Sequence, residues 1–415
     1  MDNLQYLPSH GADWDDLKAT MKDLSQDDLE WRKARHAAYV WYANEDVELV
    51  ARKAYVMFMH ENGLSTTAFP SLGRMESEVV SIVAELLNGN HEVAGHMTSG
   101  GTESIFLAVK AARDWASEHY PYIKNPNVVT SFSAHPALNK AAHYLGVKVI
   151  RVPTRDDFRA DVQALNNAVN QNTIMIYGSA PTYSIGVIDP IEEMASLARE
   201  RHLWFHVDAC VGGILGPFVR LLGYPVPHFG FECPGVTSIS ADLHKSGFSA
   251  KGASTILFKN KKYESYCRFL FDDWPSGRYN SATFPGTRPG GAIAAAWAVM
   301  NHLGKDGYVK IAEQVMDARK YFIEGIESMD GLRMLGEPDL WAVAFATHKG
   351  DISNIINFMT DGGWRVSPVK NPPGIHLMIT PIHIRFISEY LHDLQQAINK
   401  SHEDKKTNNT YEIEY

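Results

Sequence analysis

Four short segments of this 415-residue chain carry side chains suited to covalent chemistry on an amine. Thr98-Ser-Gly-Gly-Thr-Glu-Ser104 joins a strand-like stretch to a helix. Gly100 and Gly101 permit close backbone approach there. The N–H groups of Gly101 and Thr102, with the Thr102 hydroxyl, can hold a phosphate at the positive end of the helix. Ser133-Ala-His135 follows a second strand and offers a flat imidazole for stacking. His206-Val-Asp-Ala-Cys210 ends a buried strand with Asp208, a carboxylate that is costly unless a cation such as a protonated pyridine faces it. Ser240-Ala-Asp-Leu-His-Lys-Ser246 sets Lys245 just past another strand, where a partly desolvated amine can condense with an aldehyde. Taken singly, each has a plainer reading: Thr102 as a helix cap, His135 as a turn residue, Asp208 as a turn cap, Lys245 as a surface lysine. Taken together, a phosphate cup, a stacking ring, an acid for a ring nitrogen and an amine for an aldehyde point to pyridoxal 5′-phosphate.

The elements that must position these residues follow from periodicity. Val128–Phe132, Val147–Pro153, Thr173–Ala180, Leu203–Ala209, Ser238–Asp242 and Ser254–Lys259 read as short apolar strands. Helical stretches fall between them (HPALNKAAHYLG, DVQALNNAVNQ, IEEMASLARERH), and helices over 103–119 and 74–87 precede them. That alternation predicts an α/β lobe with a mostly parallel sheet, whose ligands sit at the carboxyl ends of strands. His135, Asp208, Lys245 and the Thr98–Thr102 turn all fall at such ends. The segment before residue 63 reads as helices. Beyond Gly291, two helices precede strand-like pieces (LWAVAFATH, HLMIT), which predicts a smaller α+β lobe. The expected division is an N-terminal helical segment 1–65, a large domain 66–295, a small domain 296–400 and a polar tail 401–415.

Composition narrows the function classes. Hydrophobic residues make up 45% and charged residues 21%, an ordinary globular balance. With 39 Lys and Arg against 48 Asp and Glu, the net charge of −9 argues against a nucleic-acid partner. No apolar run is long enough for a membrane span. Three cysteines and an acidic N-terminus without a signal-like pattern predict a cytoplasmic protein. No dinucleotide or P-loop motif occurs, and the histidines of HEVAGH are five apart, so no metal site is expected.

The segments TSGGTES, GSAP…GVIDP, HVDACVGG, SADLHKSGFSAKG and GTRPGG resemble motifs of sphingosine-1-phosphate lyases, in the decarboxylase-like branch of fold-type I pyridoxal-phosphate enzymes. The run Asp273-Trp-Pro-Ser-Gly-Arg-Tyr279 followed by Gly286-Thr-Arg-Pro-Gly-Gly291 is the most specific. The resemblance implies the PLP-transferase fold type I, with a mostly parallel seven-stranded sheet between helices and a smaller α+β C-terminal domain. It implies that Lys245 carries the cofactor, Asp208 pairs with its ring nitrogen and His135 stacks on its face. Gly101, Thr102 and His244 would hold its phosphate, and Thr287 would reach that phosphate across a homodimer with shared active sites. Thr182 looks like the threonine that faces the ring oxygen in decarboxylases. Tyr279 and Lys251 match residues near the substrate channel, Tyr279 being also a candidate for proton transfer. Where the lyases carry NPLH this chain reads Asn62-Gly-Leu-Ser65, and Trp41 stands at the place of a tyrosine, so Trp41, Ser65, Lys251 and Tyr279 are the candidate substrate contacts.

The implied reaction is retro-aldol cleavage of a 2-amino-3-hydroxy substrate, phosphorylated or not, to an aldehyde and an amine. The nearest rival is decarboxylation of an amino acid, in which Arg288 or Arg278 would bind a carboxylate. A non-catalytic binding protein of the same fold is the third reading, disfavoured by the presence of Lys245, Asp208 and His135.

Overall fold

The computed structural model describes residues 6–348 and 351–403. A seven-stranded sheet organises the larger part. Its strands are β1 (Ala94–Thr98), β2 (Asn127–Ser131), β3 (Lys148–Val152), β4 (Thr173–Ser179), β5 (Trp204–Asp208), β6 (Ser238–Ala241) and β7 (Ser254–Phe258). They lie in the order β1-β7-β6-β5-β4-β2-β3, and only β7 runs against its neighbours. Strands β2, β4, β5, β6 and β7 are buried along their whole length, as their near-continuous apolar sequences require of a sheet covered on both faces. One face packs on the helix Gly101–His119 through Ile105, Ala108 and Ala112 against Val128, Met175 and Ile256. The other face (Val129, Ile176, Phe205, Val207, Leu257) packs into the cluster shared with the helices Pro70–Leu86 and Ile191–Glu200 and with the C-terminal part. The expected fold class is therefore the one observed.

The C-terminal part holds a four-stranded antiparallel sheet of β10 (Leu332–Met334), β11 (Ala342–Thr347), β12 (Ser367–Lys370) and β13 (Pro373–Met378), ordered β10-β11-β13-β12. Between the two sheets, β8 (Phe269–Phe271) and β9 (Tyr279–Ser281) form an exposed hairpin. The helical stretch Gly290–Glu327 is two helices joined by a kink at Gly304, whose backbone leaves helical geometry, as the two apolar-periodic stretches on either side of it predict. Residue 296, the expected start of the small domain, lies inside the first of them. The polar tail falls, from residue 404 onward, outside the described residues.

Buried histidines make stability depend on pH. His206 on β5 and His376 on β13 are enclosed, and burial pulls each down to about 4. An unfolded chain titrates them near 6.5, so it takes up protons between pH 6.5 and 4 that the folded chain refuses. Stability is thus fully present above pH 6.5 and drains away as pH falls towards 4, by up to about 3 kcal/mol per imidazole. Melting temperature recorded from pH 7.5 to 4.5 should fall steadily below 6.5. A flat profile would contradict neutral burial.

Candidate active site

The carboxyl ends of β2, β4, β5 and β6 converge on a cleft of about 330 Å³ with the N-terminus of the helix Gly101–His119. Gly101, Thr102, His135, Asp208, His244 and Lys245 all line it. Six residues from four separate segments thus meet as expected. The volume lies in the range of small-molecule sites.

Lys245 leaves the turn after β6 and ion-pairs with Asp242, Nζ to Oδ2 at 2.9 Å. Burial opposes the charge on Lys245, but Asp242, with Cys210 and Asp208 behind it, holds the amine above the ordinary lysine value. Asp242 is almost fully buried and was not foreseen. Its place three residues before Lys245 in SADLHK was the available signal, but only the fold shows that the intervening turn brings the two together. His244 accepts a hydrogen bond from the Ala253 N–H at Nδ1 (3.1 Å), so its proton sits on Nε2, the nitrogen 3.7 Å from Asp242. Burial pulls this imidazole down to about 4, which keeps it neutral.

Asp208 ends β5. Its Oδ2 accepts from the Tyr177 hydroxyl at 2.6 Å, and its Oδ1 from the Cys210 N–H at 3.1 Å and the Ser240 hydroxyl at 3.4 Å. Burial raises this carboxyl, but His135, Tyr177, Cys210 and Lys245 outweigh it and hold the group below the usual aspartate range. Asp208 is therefore an anion enclosed by neutral donors, suited to face a cationic ring nitrogen. Tyr177 was also missed. It stands opposite His206 in the β4–β5 register, two residues short of Asp208, and reaches it diagonally across the strands. That pairing is not written in either strand's own sequence.

His135 follows β2 and lines the cleft as a stacking candidate. Burial lowers its pKa against the pull of Asp208, and the Ala137 N–H donates to its Nδ1 at 3.2 Å. The phosphate cup is tight: a Cβ on Gly101 would come within 2.6 Å of the Cys210 sulfur and 2.9 Å of Asp242. Only glycine fits there. Glu103, in the first turn of the helix, accepts from the Ser99 N–H at 2.7 Å and the Phe284 N–H at 2.9 Å. It ties the cup to the segment that carries Thr287.

The remaining expected residues lie elsewhere. Thr182 is buried beside the cleft, with no hydrogen-bond partner for its hydroxyl; Pro181 and Tyr183 line the cleft in its place. Tyr279 lies on the β8–β9 hairpin against Trp274 and Phe269, and Thr287 is exposed; neither lines the cleft of its own chain. Trp41 and Lys251 share a second cleft of about 330 Å³, where Lys251 donates to the Tyr39 carbonyl at 3.3 Å. Ser65 holds a turn, its hydroxyl accepting from the Ala68 N–H at 3.2 Å. Arg288 is engaged by Glu76 and by the Gly63 carbonyl at 2.7 Å, and so ties the N-terminal segment to the core. Arg278 lies exposed in the hairpin turn.

Pyridoxal 5′-phosphate fits these residues. The glycine cup, the buried Asp208 carboxylate, the unpartnered hydroxyls of Ser179 and Thr182 and the enclosed lysine match its phosphate, ring nitrogen, ring oxygen and aldehyde in kind. Comparison with known proteins agrees. Residues 6–348 match the pyridoxal-dependent decarboxylase conserved domain. The chain is 40% identical over 401 residues to sphingosine-1-phosphate lyase of Arabidopsis thaliana, covering 95% of this chain and 73% of that protein. It is 35% identical over 318 residues to a probable L-aspartate decarboxylase of Pyrococcus furiosus, covering 77% and 84%. A solved sphingosine-1-phosphate lyase from Burkholderia pseudomallei superposes with a TM-score of 0.92 at 34% identity, over 95% of this chain and 93% of that one. The chain thus belongs to the pyridoxal-dependent decarboxylase family, among relatives of the sphingosine-1-phosphate lyase type.

Proposed function

We propose that this protein is a pyridoxal-phosphate-dependent carbon–carbon lyase of the sphingosine-1-phosphate lyase type, opening a 2-amino-3-hydroxy substrate to an aldehyde and an amine. The observation that carries the reading is the convergence of Lys245, Asp208, His135 and the Gly101 cup on one cleft in a chain that follows lyase relatives over nearly its whole length. When bound, the cofactor supplies an electron sink for the breaking bond. The protein's own part is positioning and proton control. Asp208 keeps a negative charge where a ring nitrogen would lie, and Lys245 offers the amine. Neutral His244 turns an N–H towards the cup. Asp242, beside Lys245, is placed to exchange a proton with it.

The substrate's handle is less like that of the relatives. Of the four expected substrate contacts, Trp41 and Lys251 share a cleft that neither Ser65 nor Tyr279 lines. The proposed substrate class therefore spans phosphorylated and unphosphorylated 2-amino-3-hydroxy compounds, with Lys251 as the cation that would face a phosphate. Decarboxylation is the second reading, and the engagement of Arg288 by Glu76 removes one of its two candidate carboxylate partners.

A homodimer with shared active sites completes the proposal. Its support is that Thr287 and Tyr279 lie outside the cleft of their own chain. In addition, the helix Trp14–Leu24 buries no residue, while Trp14, Leu17, Met21 and Leu24 recur at helical spacing on it. We also propose the division at 1–65, 66–295 and 296–400, and a cytoplasmic location. Cys210, Cys233 and Cys267 are free and buried, and no helix among the described residues is long and apolar enough to cross a membrane.

The discriminating experiment incubates cofactor-loaded protein with 2-amino-3-hydroxy compounds, phosphorylated and not, and with an amino-acid panel. Aldehyde without carbon dioxide is the expected result. Carbon dioxide without aldehyde would reassign the protein as a decarboxylase.

A further inference from the structure

The donors around Asp208 fall in a fixed order. The Trp204 indole N–H donates to the Ser238 hydroxyl at 2.8 Å, which leaves the Ser238 proton for Nδ1 of His206, also at 2.8 Å. His206 is kept neutral by burial, so its one proton sits on Nε2 and is given to the Ser240 oxygen at 3.2 Å. The Ser240 proton is then left for Oδ1 of Asp208, which also takes the Cys210 N–H. A carboxylate oxygen accepts about two hydrogen bonds, so Oδ1 is filled. Oδ2 takes one, from the Tyr177 hydroxyl at 2.6 Å, and keeps room for a second.

Tyr177 is fully buried, with its ring beside His206 at a centroid distance of 5.4 Å. Burial and the facing carboxylate push its phenol well above the ordinary tyrosine value, so the hydroxyl remains a donor. The other ionisable groups that act on Asp208 are His135 after β2, Cys210 after β5 and Lys245 after β6, the last paired with Asp242. Arg151 on β3 acts on Tyr177 from a distance.

We propose that Tyr177 is a positioning residue for the cofactor: it shares Oδ2 of Asp208 with the ring N–H and holds the shared proton on the ring nitrogen. Between a buried pyridine and a buried carboxylate the proton can rest on either partner. On the carboxylate it makes a neutral pair, the form that burial favours. A hydroxyl that donates to the carboxylate stabilises its anion, and with it the charged pair, by about tenfold or more. The protonated ring is the stronger electron sink, so Tyr177 acts on the chemistry through Asp208. The inference rests on Asp208 facing the ring nitrogen, as proposed above.

Nitrogen NMR at neutral pH, on protein loaded with pyridoxal 5′-phosphate labelled at the ring nitrogen, tests it. The parent should resonate at the protonated position. Tyr177→Phe keeps the ring packing and loses the hydroxyl. Its resonance should move towards the unprotonated position, because the ratio of ring-protonated to Asp208-protonated pairs falls about tenfold or more. Tyr177→Met fills the same space with a flexible chain and should move the resonance the same way. The inference is overturned if the parent resonates at the unprotonated position, or if either folded variant resonates with the parent. Loss of the fold in both variants, read by thermal melting, overturns it as well, since Tyr177 would then be a packing residue. Failure of the underlying site reading shows differently: Asp208→Asn would then leave the resonance at the parent's position, whatever the Tyr177 variants do.

Discussion

Lys245→Ala should abolish turnover, lowering kcat/KM by at least about 10,000-fold, because no other amine in the cleft stands where Lys245 does. Borohydride treatment of the loaded parent should leave a reduced cofactor adduct on Lys245, and the variant should show none. Alanine also strips Asp242 of the partner 2.9 Å away. A buried carboxylate left without its cation destabilises a fold by about 3–5 kcal/mol, so lost activity alone would be ambiguous. Lys245→Arg separates the two effects. Its guanidinium keeps a positive charge opposite Asp242 but stays protonated and cannot condense with an aldehyde. The arginine variant should therefore melt close to the parent and be as inactive as the alanine one. Turnover of either variant within tenfold of the parent would remove the lysine from the chemistry.

The second large effect is expected at Asp208. Asp208→Asn is close to isosteric, yet both of its oxygen positions already receive donors: Tyr177 at one, Cys210 and Ser240 at the other. With its oxygen kept towards Cys210 and Ser240, the asparagine can turn its NH2 only to the Tyr177 oxygen, which then accepts but leaves the tyrosine proton without its acceptor, and the buried negative charge is gone. We expect kcat/KM to fall by roughly 100- to 1,000-fold and the cofactor to dialyse away more readily. Cofactor content after dialysis and the absorbance of the loaded protein report the second effect independently of rate. An asparagine variant that retains cofactor and rate like the parent would show that Asp208 is only a turn residue.

How much of this was readable in the chain varies from element to element. Strands β2 to β7 were legible because each is a short apolar run between turn residues, and the observed ends differ from the expected ones by a residue or so. Gly101, His135, Asp208 and Lys245 were legible for a related reason: each directly follows such a strand or opens such a helix, where side chains of an α/β sheet meet a ligand. The break at Gly304 was legible too: a glycine between two apolar-periodic stretches reads as a stop, and its backbone leaves helical geometry there, so the two expected helices meet at a kink. Arg288 read ambiguously, since nothing near it in the chain announces Glu76, more than two hundred residues earlier.

Local pattern by itself determined which residue types sit at strand ends and hence the kind of cofactor chemistry, since hydrophobic periodicity and turn residues act over a few positions. Tertiary structure alone decided that Tyr177 clamps Asp208, that Asp242 faces Lys245, and that Arg288 meets Glu76. Those outcomes depend on strand register and on the docking of one segment against another. Both are set by the packing of distant segments, which no local stretch of sequence contains.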